Sequence, residues 1–162
     1  MTGAHGVPVP AQEPLVPAGT AGYADAFEVR VADGDDRTAE AFARSALEDA
    51  PWLVRETVWF VHRRVLRLRL APRSAPDHIL GWTIVTSDPD VVQLEAVSPL
   101  LGRGVIVGRR PEPTRAVITT YVFFRRPGIG RAVWALVGPL HRRVAVFLLN
   151  HAASRPAMAA VG

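Results

Sequence analysis

The sequence predicts an α+β domain: a curved antiparallel sheet wrapped around a long C-terminal helix, with an apolar cavity between the two. Three observations carry this expectation. Segments rich in Val, Ile, Thr and aromatics, separated by turn residues, fill the chain from Trp82 to Phe124. A helical apolar pattern follows from Ile129 to about Asn150. Apolar residues make up 49% of the 162 positions, enough for a real core.

Residues 1–22 hold Pro8, Pro10, Pro14 and Pro17 with few large apolar groups and read as a disordered tail. The domain is placed at 23–152, and 153–162 are expected to fray. Ala26 to Val31 alternates, with Phe27, Val29 and Val31 on one face, as a strand does. Asp33 to Asp36 forms a turn, and Thr38 or Asp36 caps a helix reaching about Ala50. Pro51 opens a second helix, where its missing N–H costs nothing. Its stripe of Val54, Val58, Val61, Val65 and Leu68 carries the prediction to about Leu70. Ala71 to His78, with Pro72 and Pro76, is a loop.

Four strands follow, at Trp82–Thr86, Val91–Val97, Gly104–Val107 and Arg115–Phe124, joined by short turns that suggest sequential hairpins. Pro127-Gly128 ends the last of them. In the terminal helix Val133, Val137, His141, Ala145 and Leu148 form one stripe, and Gly138-Pro139 is expected to bend it.

Composition excludes several chemistries. There is no cysteine, so disulfides, thiolate metal sites and cysteine nucleophiles are absent. All 19 basic residues are arginine, which removes Schiff-base and phosphate-loop lysines. Net charge is +4, but residues 1–96 carry 14 acids against 9 arginines, whereas 97–162 carry 10 arginines and only Glu112. A basic half suits an acidic partner or anionic surface, or it is arginine on solvated faces. No nucleic-acid motif and no aromatic–basic platform is present, so no nucleic-acid partner is expected. The apolar run Ile129–Leu149 contains Arg131, His141, Arg142 and Arg143, which argues against stable membrane insertion. No signal peptide is read at the N-terminus, and a cytoplasmic location is the expectation. No metal-ligand spacing, nucleophile elbow or dinucleotide loop is found, so no metal or cofactor is expected. The composition is compatible with a homodimer and does not select an oligomeric state.

Several short segments carry a resemblance: Ala24-Asp25-Ala26-Phe27, Pro51-Trp52-Leu53-Val54, Thr119-Thr120-Tyr121-Val122, Gly130-Arg131 and Pro139-Leu140-His141-Arg142. In this order they resemble a bacterial domain family of unknown function related to the START-like, or helix-grip, superfamily of polyketide cyclases and plant lipid-binding allergens. The resemblance spans roughly residues 23–152. It implies a helix-grip fold and an apolar small-molecule ligand, polyketide- or lipid-like. That ligand would be cyclised, isomerised or dehydrated without a cofactor, or simply carried. The chain departs from the family at Ser98 to Gly102, where an acidic turn followed by His-Leu-Asp is usual. It departs again at Val133 and Trp134, where the family tends to show a Tyr. Chemistry resting on those groups does not transfer.

His141 lies on an apolar stripe; it is either a proton donor and acceptor in the cavity or a core histidine bonded to backbone. Tyr121 either orients a carbonyl or belongs to ordinary sheet packing. Glu95 points to solvent with Gln93 if Val92 and Leu94 face inward; with the opposite pleat it becomes a buried base, with Arg103 placed to neutralise it. Trp59, Thr119, Trp134 and Val137 complete the expected binding set with Arg103.

Overall fold

The computed structural model describes residues 3–11, 13, 14, 16 and 21–155. Its elements run β1 (His5–Val7), β2 (Tyr23–Arg30), α1 (Ala39–Leu47), α2 (Trp52–Phe60), a π-helical turn (Val61–Val65), β3 (His78–Ile79), β4 (Trp82–Asp88), β5 (Val91–Ser98), β6 (Gly102–Glu112), β7 (Arg115–Phe124) and α3 (Pro127–Ser154). The fold is α+β. Its strands form one sheet in the order β1-β2-β7-β6-β5-β4-β3, antiparallel at every step. The hairpins of the middle region follow from their turn residues. The long-range step is β2 against β7, with Ala26 opposite Thr119. The two edge strands are also the shortest, three residues in β1 and two in β3.

One face of the sheet, through Val92, Leu94, Ile118 and Val122, looks toward α1, α2 and α3. Thr38 caps α1, its hydroxyl accepting from the Ala41 N–H at 3.1 Å. That cap aims Phe42, Ala43 and Ala46 into the core.

The second helix is shorter than its apolar spacing predicts. It widens into the π turn and stops at Val65, because Leu66 N–H bonds to Val61 O and Arg67 turns to φ 52°. Ser98 Oγ donates to the freed Leu66 carbonyl at 2.5 Å. Leu66 and Leu68 thus reach the core from a loop, while Val65 of the expected stripe is exposed. By contrast, α3 runs unbroken past Gly138-Pro139 and extends to Ser154, beyond the expected fraying point at 153. Residues 156–162 lie outside the described residues.

The N-terminal stretch also departs from expectation. β1 pairs with β2, and Glu13 and Val16 are buried on the outer face of the sheet. There Val16 meets Val91, Val105, Val107 and Tyr121, with Glu13 paired to Arg109. The reason is that the outer face is itself apolar and needs cover. Positions 1, 2, 12, 15 and 17–20 of the expected tail lie outside the described residues.

Buried Arg110 ties the turn before α1 to the sheet. Its guanidinium donates to the carbonyls of Arg37, Asp35 and Pro113 at 3.0, 3.1 and 2.5 Å. It lies 3.6 Å from the Asp35 carboxylate and stacks on Phe42. Arg37 grips the same carboxylate and reaches the Ala152 carbonyl of α3 at 3.0 Å. Burial opposes ionisation of Asp35, but the Arg37 hydrogen bonds and the two guanidinium charges hold its carboxyl below the ordinary value.

Gly102 opens β6 at φ 124°, and a Cβ there would stand 2.0 Å from the Phe123 carbonyl oxygen. The Gly102→Ala variant is expected to lose about 3 kcal/mol or more, read as a drop in the urea midpoint at unchanged slope. A change within about 0.5 kcal/mol would contradict this β6–β7 contact.

Candidate functional site

A cavity of about 130 Å³ lies between the inner face of the sheet and the helices. Its walls come from α1, α2, α3 and strands β4 to β7. Gly104 and Gly108 keep the β6 wall low: a Cβ at Gly104 would approach the Trp82 ring to 2.9 Å, and one at Gly108 would meet Val92 at 3.0 Å. The lining is overwhelmingly aliphatic, with few polar side chains, and two histidines are among them.

His62 sits in the π turn, a distortion that often marks functional positions. Trp82 Nε1–H donates to its Nδ1 at 3.2 Å. Nδ1 is therefore an acceptor, and the neutral ring carries its proton on Nε2. Burial among apolar groups, and secondarily the charge of His141, push its pKa down to about 4. Near neutral pH His62 is an uncharged hydrogen-bond donor.

His141 lines the cavity from α3. Its Nε2 stands 3.1 Å from Asp25 Oδ2 on β2, although the angle gives no hydrogen bond. Asp25 in turn accepts the Tyr23 hydroxyl at 2.5 Å. Burial first, then the bond to Asp25, raises the Tyr23 phenol above its ordinary value, so it remains a donor. Trp134 packs beside both rings, with centroids 4.8 Å from Tyr23 and 5.2 Å from His141. Arg142 reaches the Tyr23 oxygen at 3.4 Å. Asp25 Oδ1, Trp134 Nε1 and His141 Nε2 are all buried without a hydrogen-bond partner. Such a concentration of unpaired polar atoms is uncommon in a folded interior. His141 thus presents an imidazole to the cavity with the Asp25 carboxylate 3.1 Å from its Nε2.

Of the residues singled out by sequence, His141, Trp134 and Val137 face this cavity. Tyr121 and Thr119 do not. They point to the opposite face of β7, where Tyr121 lies among Val16, Val91, Val105 and Val107, while Ile118, Thr120 and Val122 face inward. Burial, then the Glu13 carboxylate, raises the Tyr121 phenol. Glu95 is also on the outer face. It accepts from Gln93 at 2.9 Å and pairs with Arg103, so it is a satisfied carboxylate rather than a cavity base, and Arg103 is its partner rather than a ligand contact. Trp59 is outside the cavity too, with the Arg73 guanidinium 4.4 Å over its ring. No group of three His, Cys, Asp or Glu among the described residues could hold a metal.

Sequence reasoning passed over Asp25, Tyr23 and His62 as site residues. Asp25 shares the inner face of β2 with Phe27 at a spacing of two, which was the available signal. Nothing local links it to His141, 116 positions away.

No protein-family model matches the chain, and no curated protein matches it. A solution NMR structure of a protein from Arthrobacter aurescens is similar at 15% identity and a TM-score of 0.43, over 83% of this chain and 87% of that one.

Proposed function

We propose that this chain encloses an apolar small molecule and moves a proton on it without a cofactor, in an isomerisation, cyclisation or dehydration of the kind used in natural-product biosynthesis. The observation that carries the proposal is the aliphatic cavity with His141 in its wall and the Asp25 carboxylate 3.1 Å from the His141 Nε2. The α+β sheet with its long C-terminal helix supports a helix-grip reading of the architecture. Size narrows the ligand. A cavity of roughly 150 Å³ holds one benzene, so about 130 Å³ suits a single ring or a short branched chain rather than a polycyclic polyketide or a whole lipid. In the isomerisation, His141 removes a proton from the carbon beside a carbonyl. Neutral His62 donates to the carbonyl oxygen, and His141 returns the proton to a different carbon, so atoms balance. Enclosure fixes the reactive conformer.

The test is native mass spectrometry of the purified protein, extraction of what it carries, and thermal shift with toluene and cyclohexanone. A bound small molecule, and a melting temperature raised by the probes but not in Ala145→Leu, is the expected result. With the extracted compound as substrate, His141→Asn should lower turnover about 100-fold or more at unchanged binding. Binding without turnover in the wild type would make the chain a carrier. No bound compound and no shift with either probe would overturn the cavity reading.

A further inference from the structure

The outer surface of α3 is unusual for a helix packed on a sheet. Ile129, Leu136, Leu140 and Phe147 are all exposed, Leu136 by 83%, at spacings of 7, 4 and 7 that place them in one stripe. The most apolar 18-residue window of this helix is only 28% buried. Across the cavity, α2 shows a second apolar face of Trp52, Leu53 and Phe60, with Trp52 exposed by 69%. The cavity is lined by both helices, by Val58 and Val61 on one side and Leu140 and Val144 on the other, so the two faces flank it. Clustered exposed apolar side chains of this kind, unlike scattered single ones, mark interaction faces.

Charge indicates what covers it. α3 contains no acidic residue. Arg143 stands in the stripe between Leu140 and Phe147, and exposed Arg131, near the start of the helix, lies off the stripe. Exposed Arg63 and Arg64 follow Phe60 on the other helix. Among the described residues, none of these four arginines makes a salt bridge, and the nearby acid, Glu56, is held by Arg73 at 2.5 Å. A second copy would bring the same acid-free arginines against each other. A bilayer with anionic headgroups meets both requirements, taking the apolar side chains into the acyl boundary and pairing the guanidiniums with phosphates.

We propose that the outer faces of α2 and α3 dock the protein on an anionic lipid surface, with α3 lying in the plane of the interface. The helix lies there rather than spans, because Trp134, Val137, Leu148 and Leu149 on its other face are committed to the core. The proposal is independent of any ligand in the cavity.

The full chain would be sedimented with vesicles of equal parts phosphatidylcholine and phosphatidylglycerol, and with phosphatidylcholine alone. Binding to the anionic vesicles, weakened by added salt, is expected. Leu136→Ser with Phe147→Ser, and separately Arg64→Gln with Arg143→Gln, should each lower partitioning about tenfold or more. These side chains are exposed, and an unchanged near-UV circular dichroism spectrum would show the fold intact. Equal binding to both vesicle types, or none, would overturn the proposal. So would a dimer on native mass spectrometry that the Leu136→Ser pair dissociates, which would assign the face to a second copy.

Discussion

Replacing Arg110 by leucine is expected to destabilise the protein by about 3–5 kcal/mol, one of the largest losses any single side chain should give. Three backbone carbonyls lose their donor at once, the one to the Asp35 carbonyl in a buried position and the other two partly buried. Each orphaned buried acceptor costs roughly 1–3 kcal/mol when nothing replaces its partner. The Asp35 carboxylate keeps Arg37, so the loss should stay below the full cost of an unpaired buried charge. Lysine should recover only part, since one ammonium cannot reproduce the planar fork that serves three carbonyls. Urea unfolding of wild type, Arg110→Leu and Arg110→Lys checks this. A loss below about 1 kcal/mol in the leucine variant would mean that the turn before α1 is held by other contacts.

The second large effect is a dependence of stability on pH through His62. Its pKa lies near 4 in the folded protein and at about 6.5 in the unfolded chain. Between those values the unfolded chain binds a proton that the folded one does not. Stability is therefore complete above about pH 6.5 and falls as the pH drops toward 4, by about 3 kcal/mol in total. The depressed carboxyl of Asp35 acts lower. Its contribution is present above its ordinary value of 3.8 and disappears as pH falls through the still lower folded value. The two windows can therefore be separated. His62→Gln keeps an acceptor for Trp82 Nε1–H and removes the titration. Urea unfolding free energies at pH 7 and pH 4.5 should differ by about 2–3 kcal/mol more in wild type than in this variant. Equal differences would place the His62 titration elsewhere.

The middle hairpins and the long helix were legible in the sequence because turn residues and the periods of strand and helix both act locally. The pleat of β5 was readable in one of its two senses, and Val92 and Leu94 do face inward. For β7 both faces looked half apolar, and the reason lies far away in the chain. Val16 and Glu13 cover the outer side, so Tyr121 is apolar-packed there while Ile118 and Val122 are apolar-packed inside. The cover that Glu13 and Val16 give the outer face is thus also what settles Tyr121 into sheet packing, one of the two readings open for it. The end of α2 escaped notice because Arg67 takes a left-handed conformation without glycine, and Leu66 and Leu68 continue an apolar spacing after the helix has gone. At the candidate site, His141 announced itself as a polar residue on an apolar stripe. His62 became meaningful only once the π turn and α3 met at one cavity, and Asp25 only once β2 stood beside His141.

The brevity of the outermost strands has a consequence for life in a crowded solution. An open sheet displays unsatisfied amide and carbonyl groups along each rim, and those rows recruit strands from other chains. Here β1 pairs with only Ala26 to Glu28 of β2 and β3 with only Trp82 and Thr83 of β4, so among the described residues the rest of β2 and β4 forms the rim, while β6 and β7 are paired on both sides. A neighbouring molecule could add a strand only along β2 and β4, not along the longer β6 and β7. The longest and most apolar strands therefore offer no free edge of their own.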